Sequence, residues 1–181
     1  MPKLTRAALR RKKPVSDELL IPADDAQRTL LEDAAKAVKN AEQGLALAQI
    51  AGQSEGDAAE KRLIDARARL EEAKAEVRKT GLCIGLVSAG QEQWDQTQLD
   101  NPPTEEQKKE AEENGDGEPL YNPDTFWPAI IAASVPDSDL VADDWRREVF
   151  ESKSWGPAEI QQLKDRTFAL YHSSRIAELG N

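Results

Sequence analysis

The chain has 181 residues, 39% hydrophobic, 32% charged and 5% aromatic, which suffices for one small buried core and little beyond it. The formal net charge is −10; residues 1–13 hold Lys3, Arg6, Arg10, Arg11, Lys12 and Lys13 with no acid, so the remainder carries roughly −16 and argues against a phosphate-binding surface. No run approaches the ~18 apolar residues of a membrane span, no signal-peptide apolar segment is present, and the one cysteine, Cys83, excludes an internal disulfide.

Residues 1–22 lack a sustained period and read as a flexible basic segment, with a short extended stretch at 18–22 that ends on Pro22. From Ala23 to Ile50, Leu31, Ala34, Val38, Ala41, Leu45 and Ala48 recur at alternating steps of three and four, a heptad seam of large residues and alanines. Residues 51–56 break the run, and Asp57 with Glu60 reads as a capping box for a second helix. That helix carries Leu63, Ala66, Leu70, Ala73 and Val77, and Gly81 is expected just past its end. Two such helices joined by a short loop predict an antiparallel hairpin over 23–81. Its alanine seam offers a docking or self-association surface.

Leu82–Val87 is a short apolar run, either strand or buried connector, in which Cys83 is expected to be an inert small hydrophobe. A short helix over 91–99 places Trp94 and Leu99 inward and stops at Asn101-Pro102-Pro103. Residues 104–118 carry seven acids and read as a helix turn running into a solvated acidic loop. In 121–133, Thr125 is expected to cap a buried helix with Pro128 in its first turn. A further helix from Ser138 or Asp139 carries Leu140, Val141, Trp145 and Val149. Ser154 precedes the last one, with Ile160, Leu163, Thr167, Leu170 and Tyr171 on one face. The predicted fold is mainly α: a long helical hairpin, then a small helical domain over 82–181.

Candidate chemistry is sparse. His172 stands without a second histidine, so a histidine metal site is not expected. No phosphate loop, nucleophile elbow or zinc-protease signature occurs, and Asp143-Asp144 are helix neighbours pointing about 100° apart, so surface charge is the reading. The chain is therefore expected to be non-enzymatic, with no cofactor and no metal. Aromatic and proline residues at element junctions are the candidate partner-facing positions: Trp94, Pro102, Pro103, Tyr121, Asn122, Pro123, Phe126, Trp127 and Trp155. Among these Trp127 is the best candidate for exposure.

The order of these motifs is similar to that of the tail assembly chaperone-like proteins of actinobacterial long-tailed phages (siphophages). The carriers are Trp94; Pro102-Pro103-Thr104-Glu105-Glu106-Gln107; Tyr121-Asn122-Pro123-Asp124-Thr125-Phe126-Trp127-Pro128-Ala129; Ile130 to Ser134; and Trp155-Gly156-Pro157-Ala158-Glu159. The likeness covers about residues 82–172, and Trp127 stands where a proline is common. It implies a protein of the infected host's cytoplasm that binds the tape measure protein, keeps its long helices soluble and helps recruit tail tube subunits. It also implies that a longer frameshifted product is common. The alternative reading is a minor structural tail or connector protein of the virion.

Overall fold

The computed structural model describes residues 14–51 and 53–172; the basic head expected over 1–13 lies outside them. The fold is mainly α. In chain order it runs β1 (Ser16–Ile21), α1 (Asp25–Ala51), α2 (Gln53–Thr80), β2 (Leu82–Val87), α3 (Gln91–Asp100), α4 (Glu105–Asn114), α5 (Pro123–Ser134), α6 (Ala142–Trp145, continuing as a π-turn over Arg146–Phe150) and α7 (Pro157–His172). The chain forms two compact units, Leu20–Ile84 and the remaining described residues.

In the first unit α1 and α2 pack together as the predicted hairpin. Every predicted seam residue is drawn inward. Ala48, Leu63, Ala66, Ala73 and Val77 are buried, and Leu31, Ala34, Val38, Ala41, Leu45 and Leu70 half-buried. The alternation of Leu or Val with Ala lets the two backbones approach, and alanine contributes little apolar area to stability. Asp24 accepts the Gln27 amide at 2.8 Å, which begins α1. The expected capping box at Asp57 and Glu60 is not there, because α2 already begins at Gln53 and both residues sit within it. Gly81 takes no left-handed conformation; positive φ among the described residues belongs to Gly90 and Gly115. Its amide donates to the Val77 carbonyl at 2.7 Å. A Cβ there would collide with the Ile21 carbonyl oxygen, so close approach rather than chirality requires the glycine.

β1 and β2 form a two-stranded sheet. β1 occupies part of what was expected to be a flexible segment. Leu82–Val87 is thus a strand, and by its alternation Ile84 and Leu86 are buried while Cys83 is exposed rather than packed in the core.

The second unit departs from expectation mainly at helix ends. α3 buries Trp94 and Thr97, whereas Leu99 is 75% exposed; two residues after Thr97, it turns about 200° away from that face. The acidic stretch 104–118 is mostly a ten-residue helix, α4, closed by a reciprocal capping box at Thr104 and Gln107 and by left-handed Gly115 (φ 73°). Asn122, not Thr125, caps α5, with Pro123 in the first turn and Pro128 inside the helix and buried. Leu140 and Val141 precede α6 and are exposed. α7 starts at Pro157, where Glu159 Oε2 accepts the Gly156 amide at 2.9 Å; the expected Ser154 cap is displaced by this carboxylate reaching back. Leu163, Thr167 and Leu170 of α7 are buried on one face, as the period predicts.

Candidate functional site

The aromatic block expected from sequence is one cluster. Phe126 and Ile130 of α5 are fully buried against Trp94 of α3, with Tyr121, Trp127 and Tyr171 packed around them. Trp94 meets Phe126 edge-on at 4.9 Å and lies tilted on Tyr171 at 5.0 Å between ring centroids, and Tyr121 stacks on Phe126 at 4.0 Å. Such contacts add roughly 0.5–1.5 kcal/mol each beyond burial. Burial also raises the Tyr121 phenol above its ordinary range.

The proline-bearing segments are joined by hydrogen bonds around one side chain. Gln107 Oε1 accepts the Thr104 amide at 2.9 Å, and Gln107 Nε2 donates to Asn122 Oδ1 at 3.0 Å. That same Asn122 oxygen accepts the Asp124 amide at 3.0 Å, and the Asn122 amide donates to the Asn101 carbonyl at 2.8 Å. One glutamine therefore closes the cap of α4 and buttresses the cap of α5. The spacing Thr104-x-x-Gln107 and the pair Asn122-Pro123 are what this geometry needs: an acceptor at each cap, a reaching amide between them, and a proline where the helix amide has no partner.

Of the nine candidate residues, Trp94, Tyr121, Phe126 and Trp127 come together in the cluster. Asn122 and Pro123 form the adjoining helix start. Pro103 is half-buried and Pro102 exposed beside it. Trp155, half-buried in the turn before α7, makes no ring contact with the others. Trp127 is half-buried rather than exposed, with the Lys164 ammonium 5.9 Å from its ring.

The outward aromatic surface lies on α7 instead. Phe168 is 48% exposed and tilts on His172 at 4.2 Å, and both rings meet Trp94 edge-on. Spacing by four along α7 from Lys164 through Phe168 to His172 was the signal for this edge. Tyr171 is also a junction the sequence reading left in the general core. Its hydroxyl lies 2.9 Å from Ser134 Oγ and accepts the Ala89 amide at 3.3 Å.

Two further polar features stand out. Asp144 accepts the Val141 amide at 3.1 Å and an Arg147 N–H at 2.6 Å, and these hold its carboxyl below the usual range, the backbone bond being the larger cause. At the end of α6, just before the π-turn, the buried Trp145 indole N–H has no hydrogen-bond partner among the described residues. No group of three metal-ligating side chains and no helix long and apolar enough to cross a membrane occurs among the described residues. The arrangement can bind through apolar, aromatic and hydrogen-bonding surfaces. No protein-family model, curated protein or solved structure matches the chain.

Proposed function

We propose that this chain is a tail assembly chaperone of a long-tailed phage: a non-enzymatic protein of the host cytoplasm that binds the tape measure protein, and with it tail tube subunits, during tail morphogenesis. One observation carries the reading. The Pro-Pro-Thr-x-x-Gln and Asn-Pro-Asp-Thr-Phe blocks, on which the resemblance rests, are hydrogen-bonded to each other through Gln107 and Asn122. The blocks thus make up one structural unit, as a family signature should. An Ala-rich helical hairpin also suits contact with a client made of long helices. An acidic surface keeps such a complex in solution.

Co-expression with the tape measure protein of the same phage tests this. The client is expected to become soluble and to co-purify, and Phe168→Ala and removal of residues 25–80 then locate the contact. A client that stays insoluble and forms no complex overturns the proposal. Recovery of the chain from purified particles moves the minor tail or connector protein ahead.

A further inference from the structure

The two long faces of the hairpin are not alike. In heptad terms, Leu31, Val38 and Leu45 are a positions of α1 and Ala34, Ala41 and Ala48 d positions; Leu63, Leu70, Val77 and Ala59, Ala66, Ala73 are their counterparts in α2. In an antiparallel pair, e positions face e and g positions face g. The e face is closed by an ion pair, Arg67 to Glu42 at 3.0 Å. The g face is open. On α1 it carries Leu30, Ala37 and Gly44, none with a charge to reach across. The result is a groove with a small-residue floor that includes Ala37, Ala41, Gly44, Ala48, Ala59 and Ala66. It continues past Ala37 and Arg69 toward Leu30 and Lys79. Leu47, on its rim, is 69% exposed.

On the α2 rim stand Arg62, Asp65, Arg69 and Glu72, all exposed and, among the described residues, none with its side chain in an ion pair or hydrogen bond. Their order is plus, minus, plus, minus. Arg62 and Glu72 are equidistant from residue 67, and so are Asp65 and Arg69. Reversing the row about that point puts each charge against its opposite.

We propose that this face receives a second copy of the chain, laid antiparallel so that two hairpins close into a four-helix bundle. A twofold axis across the helices at the level of Arg67 sets Arg62 against the other copy's Glu72 and Asp65 against its Arg69, each pair formed twice. The Glu42–Arg67 ion pair fixes the matching level on α1. There the same axis seats exposed Leu47 over Ala37 of the other copy, a large side chain into a small-residue hollow. A parallel copy would lay the charged α2 row on the α1 row of Leu30, Asp33, Ala37, Asn40, Gly44 and Leu47, which carries no basic residue, leaving Asp65 and Glu72 without a cation opposite. The patch is two helices wide and ~27 Å long from Leu30 to Ala48, on the order of 500–800 Å² per copy, which suits a concentration-dependent dimer. The inference rests on the hairpin alone and stands apart from the tail-assembly reading.

Sedimentation equilibrium of the full chain from about 1 to about 100 µM tests it. The expected mass rises to that of two chains, with weaker association at high salt. Arg62→Glu with Arg69→Glu makes the row wholly acidic and should halve the mass at the top concentration. Asp65→Arg with Glu72→Arg makes it wholly basic and should do the same. Mixing the two variants should restore a dimer containing one of each. All four side chains are exposed, and circular dichroism checks that each variant keeps its helix content. A wild type monomeric throughout overturns the proposal, as does a dimer unmoved by either double substitution or a mixture that stays monomeric. A monomer whose groove is instead occupied by a client helix, seen by cross-linking, also overturns it.

Discussion

The two units reach stability by different means. Leu20–Ile84 contains no aromatic residue, and its buried side chains are largely alanines, with Leu63 and Val77 the large ones in α2. The other unit holds all four tryptophans and buries Phe126, Ile130, Ile131, Trp145 and Leu163. A buried aromatic removes several times the apolar area that a methyl group does. The hairpin therefore depends on length and regular seam contact, and the other unit on a concentrated core. Tryptophan fluorescence reports the aromatic unit alone, while helical ellipticity is weighted toward α1 and α2. In urea, ellipticity is expected to fall before fluorescence changes; coincident curves would break the contrast.

Substitutions sharpen it, beginning with the largest effect. Phe126→Ala removes a ring with no exposed surface and should cost about 3–5 kcal/mol, lowering the fluorescence midpoint while much of the helical signal persists. Gly81→Ala places a methyl group against the Ile21 carbonyl, a backbone clash costing about 1–3 kcal/mol; here the ellipticity curve should move and the fluorescence curve should not. Gln107→Ala removes the hydrogen bond that closes the cap of α4 and the one that ties it to the cap of α5. A loss of about 1–2 kcal/mol is expected in the fluorescence transition, and Gln107→Glu should recover only the half that accepts the Thr104 amide.

The smallest effect is electrostatic. The Asp144 carboxyl is depressed in the folded chain, so its contribution is present above the ordinary carboxylate range and is lost as pH falls through the lower folded value. Asp144→Asn should flatten the acid limb of a stability–pH curve below about pH 4 and leave the neutral region little changed. An unaltered acid limb would show that the carboxylate adds nothing there.

Much of the architecture was legible because it follows periodicity. The steps of three and four from Leu31 to Ala48 and from Leu63 to Val77 have one efficient solution, and the structure takes it. Helix ends were less legible because several groups compete for each cap. Asp57-x-x-Glu60 and Thr104-x-x-Gln107 have the same pattern, yet only the second starts a helix; the prolines before Thr104 forbid an earlier start, whereas nothing before Asp57 does. Thr125 lost its expected role to Asn122, which has an acceptor oxygen directly before a proline. In the candidate site, the aromatic cluster could be anticipated from composition. Gln107's reach to Asn122 could not, since it joins residues fifteen apart across a segment of undetermined path.

That link has a consequence for the residues it encloses. Between Gly115 at the end of α4 and Asn122 at the start of α5, the chain is exposed through Glu118 and at Leu120, with Pro119 and Tyr121 half-buried. Both shores of this loop are fastened by Gln107 and Asn122, and its far end by Tyr121 stacked on Phe126, while among the described residues no side-chain hydrogen bond or ion pair holds the exposed ones around Gly117. Lengthening it should cost little more than closure entropy, about 0.6 kcal/mol for each doubling. The acidic span around Asp116 and Gly117 is therefore a place where sequence can drift, grow or accept a foreign peptide while the helices on either side stay seated.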